Sequence, residues 1–134
     1  MQYVSTADVP AVLEHDDTVA SHFMFPFNAL REQTEGSYLQ FVNEFLVDAG
    51  KFIEPHFHNS HEFYYVLSGR GTMRVGDEVS EVSPGDLIHT PPNVPHSIYA
   101  HRSGVRCLAF AVAFIKEGEP THTPTTFDNW PPAA

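Results

Sequence analysis

The chain carries a single cysteine, Cys107, so no internal disulfide can form and stability must come from a packed core. Cys107 lies in an apolar run and reads as a small buried hydrophobe rather than a reactive thiol. Basic side chains are scarce: seven Lys and Arg against seventeen Asp and Glu, a formal charge of −10. Nucleic acid and anionic membrane surfaces are therefore poor partners, because both need clustered positive charge. No run approaches the roughly 20 apolar residues of a membrane span. No basic segment followed by an apolar one opens the chain, so no signal peptide is expected and a cytoplasmic location is the default.

A length of 134 residues fits one domain with one core. Eleven phenylalanines against one tryptophan suggest a core built from phenyl rings. Eleven prolines and eight glycines suit short strands and tight turns. Residues 1–35 are the least patterned. Asp8–Glu14 reads as a short helix or turn, and Phe23, Phe25 and Phe27 alternate as on an edge strand.

From Tyr38 onward, strand-forming runs alternate with turn signals. The expected strands are Tyr38–Val47, Phe52–His58, Glu62–Leu67, Thr72–Val75, Val79–Val82, Leu87–Thr90, Val94–Tyr99 and Val105–Ile115. Gly69-Arg70-Gly71, Gly76-Asp77, Ser83-Pro84-Gly85-Asp86 and Pro91-Pro92-Asn93 read as the turns between them. In the last strand Cys107, Ala109, Ala111 and Ala113 share one face, and Leu108, Phe110, Val112 and Phe114 share the other. After Glu117 the chain is rich in Pro and Thr and reads as an irregular arm bearing Trp130, which is expected to pack on the barrel. Many short strands and no clear helix mean an all-β sandwich or barrel.

Three of the nine histidines crowd into His56-Phe57-His58-Asn59-Ser60-His61, with Glu62 next. On a strand, His56 and His58 point to the same face, about 7 Å apart. Asn59-Ser60 turns the chain, so Glu62 can return to that face from the next strand. His96 follows a proline-rich turn that can aim it inward as a fourth donor. Imidazoles with one carboxylate suit a divalent transition ion such as Fe2+, Zn2+, Mn2+ or Ni2+, and not Ca2+ or Mg2+. His61 is the alternative to Glu62 if the register shifts by one, and either is a candidate catalytic base. His15, His22, His101 and His122 read as solvated.

Gly50-x5-His56-x-His58-x3-Glu62-x6-Gly69 resembles the first cupin motif, and Pro84-Gly85-Asp86 followed by Pro91, Pro95 and His96 resembles the second. The resemblance spans about residues 36–115 and leaves arms at 1–35 and 116–134. It implies a cupin jelly-roll β-barrel of two antiparallel sheets, with one metal ion held by His56, His58, Glu62 and His96. It implies a homodimer, as small cupins commonly form, and a small-molecule substrate. Parity makes Gln40, Phe110, Val112 and Phe114 candidate pocket residues. The favoured activity is an Fe(II) dioxygenase. A non-redox Zn, Ni or Mn cupin (polyketide cyclase, isomerase or lyase) and a non-catalytic binding or sensing module are the alternatives.

Overall fold

The computed structural model describes residues 6–25, 38–113 and 122–133. After a 3-10 turn at Thr6–Asp8, nine strands follow: β1 Val12–Glu14, β2 Val19–Phe25, β3 Tyr38–Val47, β4 His56–Phe57, β5 Ser60–Val75, β6 Glu78–Val82, β7 Leu87–Thr90, β8 His96–Ala113 and β9 Thr123–Pro124. All pairings are antiparallel. There is no α-helix among the described residues, and no helix long and apolar enough to cross a membrane. The architecture is an all-β jelly-roll barrel.

Two long strands build it. β5 and β8 lie side by side from Ser60↔Ala113 to Val75↔His96. Each changes its other partner part-way: β5 from β7 to β6, and β8 from β4 to β3. One layer therefore runs β1-β2-β3-β8-β5-β7, and the other β9-β4-β8-β5-β6. The two sheets of the sandwich are continuous through this shared pair.

The expected turn at Gly69-Arg70-Gly71 is in fact a bulged corner inside β5, where the register slips at Val66/Ser68 and at Gly69/Gly71. Gly69 has φ +79, and a Cβ there would sit 2.0 Å from the carbonyl oxygen of Gly104, itself at φ +72. Backbone meets backbone at this corner, which only glycine allows. A bulged glycine looks like a turn in sequence, so the expected strands Glu62–Leu67 and Thr72–Val75 are parts of one strand. The same bend joins the Val94–Tyr99 run and the described part of the Val105–Ile115 run into β8, His96–Ala113. The Gly76-Asp77 hairpin is as expected, with Val75 opposite Glu78.

Strand alternation sets the interior. Phe45 and Val47 of β3, Tyr64 and Val66 of β5, and Val105, Cys107 and Ala109 of β8 are all buried in one cluster. Burial pushes the Cys107 thiol up to about 12, so it is an inert core residue. The Phe52–His58 run yields only an isolated bridge from Phe52 to Tyr99 and the two-residue β4. The arms are more regular than their composition suggests. β1 and β2 extend the sheet beyond β3, and β9 pairs with β4. β2 lies between β1 and β3, not at an edge. Phe27 and Pro26 lie outside the described residues. Trp130 packs on the barrel, its Nε1–H donating to Ser97 Oγ at 2.8 Å. Arg74 lies 3.9 Å from the centre of the Phe127 ring and donates to the Asp128 carbonyl, which ties the C-terminal arm down.

Candidate metal centre

β4 and the start of β8 bring His56 and His96 face to face as register partners. Their ring centroids are 4.4 Å apart, and the His58 ring lies 5.7 Å from His56 and 4.9 Å from His96. One nitrogen from each of the three falls within 4.8 Å of the others, and all three residues are buried. The Pro91-Pro92-Asn93 turn is anchored by the Asn93 N–H donating to the His58 carbonyl, which fixes the approach of β8 to the site.

The remaining ring nitrogens are spoken for. His56 Nδ1–H donates to the Glu54 carbonyl at 2.8 Å, and His96 Nδ1–H to the Val94 carbonyl at 3.1 Å. A carbonyl only accepts, so both rings carry their proton on Nδ1 and turn a bare Nε2 lone pair inward. His58 Nδ1 sits 3.2 Å from Ser60 Oγ. Nε2 of His96 is buried without a hydrogen-bond partner. Nε2 of His58 also lacks a partner of hydrogen-bond geometry, and its one close neighbour is Glu62 Oε2. Buried nitrogens left with free lone pairs beside a carboxylate are what a cation would satisfy, so the donor set fits a transition-metal ion.

Electrostatics point the same way. Burial, then the neighbouring His96, pulls His56 down to about 3, against the charge of Glu62. Burial likewise lowers His96. Both rings are therefore neutral at pH 7 and ready to ligate. Burial opposes charge on His58 and Glu62 as well. Their close contact and mutual attraction outweigh it, raising His58 and lowering Glu62. Next to them, burial and then the Glu62 charge hold the Tyr64 hydroxyl well above its usual range, with a hydrogen bond to Glu62.

The cluster opens into a cavity of about 80 Å³. Phe23, Phe41, Phe45 and Tyr64 give it aromatic walls, with Asn43 and Ser21 on one side and His15 and His122 also lining it. Phe45 meets Tyr64 edge to face at 5.0 Å. Ala109 lies between Asn43 and Tyr64 in the sheet register, and Ala111 between Phe41 and Glu62. These short side chains keep the space from filling.

Several expectations need correction. His61 is on the outer face of β5, one residue out of phase with Glu62. Its Nδ1 lies 2.8 Å from His89 Nε2, and the two rings stack at 5.1 Å. It does not enter the cavity and is no candidate base there. Phe110 and Val112 alternate with the inward-facing Ala109 and Ala111, so they also face outward. Phe110 stacks on Phe63, and Val112 is 39% exposed. Gln40 is buried, but β3 is bulged between Leu39 and Phe41, and Gln40 does not line the cavity. Phe114 lies outside the described residues. The parity of β8 was read correctly, but its bulky face was assigned to the pocket when the small face belongs there.

His122 is exposed, as expected, and His15 is half-buried; both stand at the mouth. Their rings lie 5.2 and 5.7 Å from that of His56 and 5.8 Å from each other. His15, Asp16 and Asp17 all have positive φ, in a left-handed turn closed by the Thr18 N–H and Oγ1–H donating to the His15 carbonyl. The run His-Asp-Asp before a β-branched stretch is a usable signal for such a turn. His122 carries no local signal, since β9 pairing with β4 is what brings it there. The other two histidines are not free either. His22 donates to the Val9 carbonyl, and His101 sits with Thr72 and Glu81.

A family model for the cupin domain matches residues 43–113. An uncharacterized protein of Streptomyces coelicolor is 32% identical over 87 residues, covering 60% of this chain and 83% of that one. Quercetin 2,3-dioxygenase of Bacillus subtilis is 31% identical over 93 residues, covering 66% of this chain and 27% of the enzyme. The chain spans about half or less of the length of several curated relatives. In structure it resembles a predicted oxalate decarboxylase from Thermotoga maritima, with a TM-score of 0.74 at 17% identity, over 84% of this chain and all of the other. With that family match over more than half its length, and the jelly roll and histidine cluster in place, the chain belongs to the cupin domain family.

Proposed function

We propose that the protein is a metal-dependent enzyme acting on a small enol, carbonyl or aromatic substrate, and that its reaction is a dioxygenation. The observation that carries this reading is a cluster of three buried imidazoles, with Glu62 against His58, beside a cavity that His56, His58 and Glu62 line together with several aromatic rings. His56, His58 and His96 would hold the ion through Nε2, and Glu62 through a carboxylate oxygen. A ferrous ion held there would supply the redox chemistry that joins dioxygen to an electron-rich substrate.

The chain's own residues supply the rest. The carbonyls of Glu54 and Val94 fix two imidazoles in orientation and tautomer. Glu62 leaves a divalent site with net positive charge, which favours an enolate, catecholate or carboxylate. Phe23, Phe41 and Phe45 keep water out and offer flat surfaces to a planar ligand. His15 and His122 at the mouth are placed to hydrogen-bond a polar substituent as the substrate enters. The partial likeness to quercetin 2,3-dioxygenase supports the dioxygenase reading.

A non-redox reading rests on a different observation, the Tyr64 hydroxyl hydrogen-bonded to Glu62 at the cavity. A carboxylate beside a protonated phenol can take and return a proton, as isomerisation, cyclisation or elimination requires. One experiment separates the two. Metal is assayed in natively purified protein, and turnover of gentisate, catechol, a flavonol, a β-diketone and oxalate is followed with an oxygen electrode. Oxygen uptake matched to product, with iron bound, is the expected result. Equal turnover under argon favours the proton-transfer reading. Binding of these compounds without turnover of any would overturn both and leave a binding module.

A further inference from the structure

Asn43 is 7% exposed and lines the cavity, yet its amide is only half used. Its Nδ2–H donates to Ser21 Oγ over a long 3.5 Å, and its Oδ1 is buried with no hydrogen-bond partner. A leucine would fill the same place without stranding a polar atom. A buried polar group with an unmet bond is costly, and where the fold gains nothing from it a ligand is the natural partner. The register puts Asn43 directly across Ala109 from Tyr64, so nothing bulky lies between the amide and the carboxylate-bearing side of the cavity.

We propose that Asn43, held by Ser21, is a specificity-determining residue that hydrogen-bonds a ring hydroxyl of a single-ring phenolic substrate whose other end reaches the histidines. The inference rests on the function proposed above and names the substrate class of the same site. The hydroxyl follows from the amide: turning it over exchanges a free oxygen for a free NH2, and a hydroxyl can answer either one. The single ring follows from size. At about 10–15 Å³ for each enclosed water, a space of about 80 Å³ holds a handful of small groups, which suits one ring. The flat walls of Phe41, Phe45 and Tyr64 suit an aromatic ring.

The test is anaerobic calorimetry on the natively purified, metal-assayed protein with catechol, pyrogallol and hydroxyquinol, which share a chelating pair and differ in the third hydroxyl. The wild type should bind one of the two triols about tenfold more tightly than catechol. In Asn43→Leu that preference should fall to near one, with metal content retained and no loss in melting temperature. The Ser21→Ala/Asn43→Leu double variant removes both ends of the hydrogen bond and should give the same result if the single variant folds poorly. A wild type that binds all three equally, or a preference that survives in both variants, overturns the inference while the proposed function stands. Failure of all three ligands to bind metal-loaded wild type overturns this inference, and the proposed function falls with it only if the oxygen-electrode panel also shows no turnover.

Discussion

His56 and His96 are matched across the β4–β8 pair: each ring is held by the carbonyl two residues before it, Glu54 and Val94, and each directs its other nitrogen toward its partner's. Neither ring depends on a distant side chain for its orientation. The site is therefore set by two short backbone segments, and single ligand substitutions should strip the ion without unfolding the barrel. His96→Ala should lower metal affinity by more than the roughly 10–100-fold that loss of a supporting partner costs, with the far-ultraviolet circular dichroism of the wild type kept. Metal assay and circular dichroism on the same sample check this, and an unfolded variant would mean that the ion is structural.

Acid should weaken the metal-free protein from about pH 6.5 downward. His56 titrates at about 3 in the fold and His96 is also lowered, so below the ordinary value of 6.5 the unfolded chain binds protons that the folded one refuses. Each contribution is complete above 6.5 and is lost as pH falls toward the folded value. The raised His58 acts with the opposite sign: its stabilisation is present below 6.5 and is lost as pH rises through its folded value. Burial lowers His15 as well, so three lowered rings stand against one raised ring, and urea midpoints of chelator-treated protein should fall between pH 7 and pH 5. His56→Gln should flatten that slope, and an unchanged slope would contradict the assignment.

Much of this was legible in sequence. The spacing of His56, His58 and Glu62 needs only strand alternation and one turn, and His96 needs only a rigid approach, so four local patterns predict one cluster. What alternation cannot say is which face of β8 looks inward. Val105–Ala113 offers a small face and a bulky face, and the sheet buries the small one because Phe45 and Tyr64 from β3 and β5 already occupy the space. His15 and His122 were missed because they arrive from the two ends of the chain by pairings that no local pattern encodes.

Ala109 is where that choice of face becomes measurable. Ala109→Leu should fill the space between Asn43 and Tyr64, leaving metal content intact and abolishing binding of ring-sized ligands. Its stability cost should be about 1–3 kcal/mol from overpacking, less if the added side chain simply occupies the cavity. Metal assay and calorimetry on one preparation distinguish these effects.

Gly69→Ala tests the corner. The added methyl would drive into the Gly104 carbonyl at a left-handed position, a backbone clash with no side chain to yield. A loss of about 3 kcal/mol or more is expected, seen as a fall of about 10 °C in melting temperature. Gly50→Ala, also at positive φ but with nothing within 4 Å, should cost less.

The well and its rim belong to different stretches of chain. Every side chain proposed to hold the ion falls within residues 43–113, whereas His15 comes from before that span and His122 from after it. Grafting the two terminal segments of another cupin onto this barrel should therefore change which molecules are admitted and leave the ion untouched, so selectivity and reactivity can be engineered as independent modules.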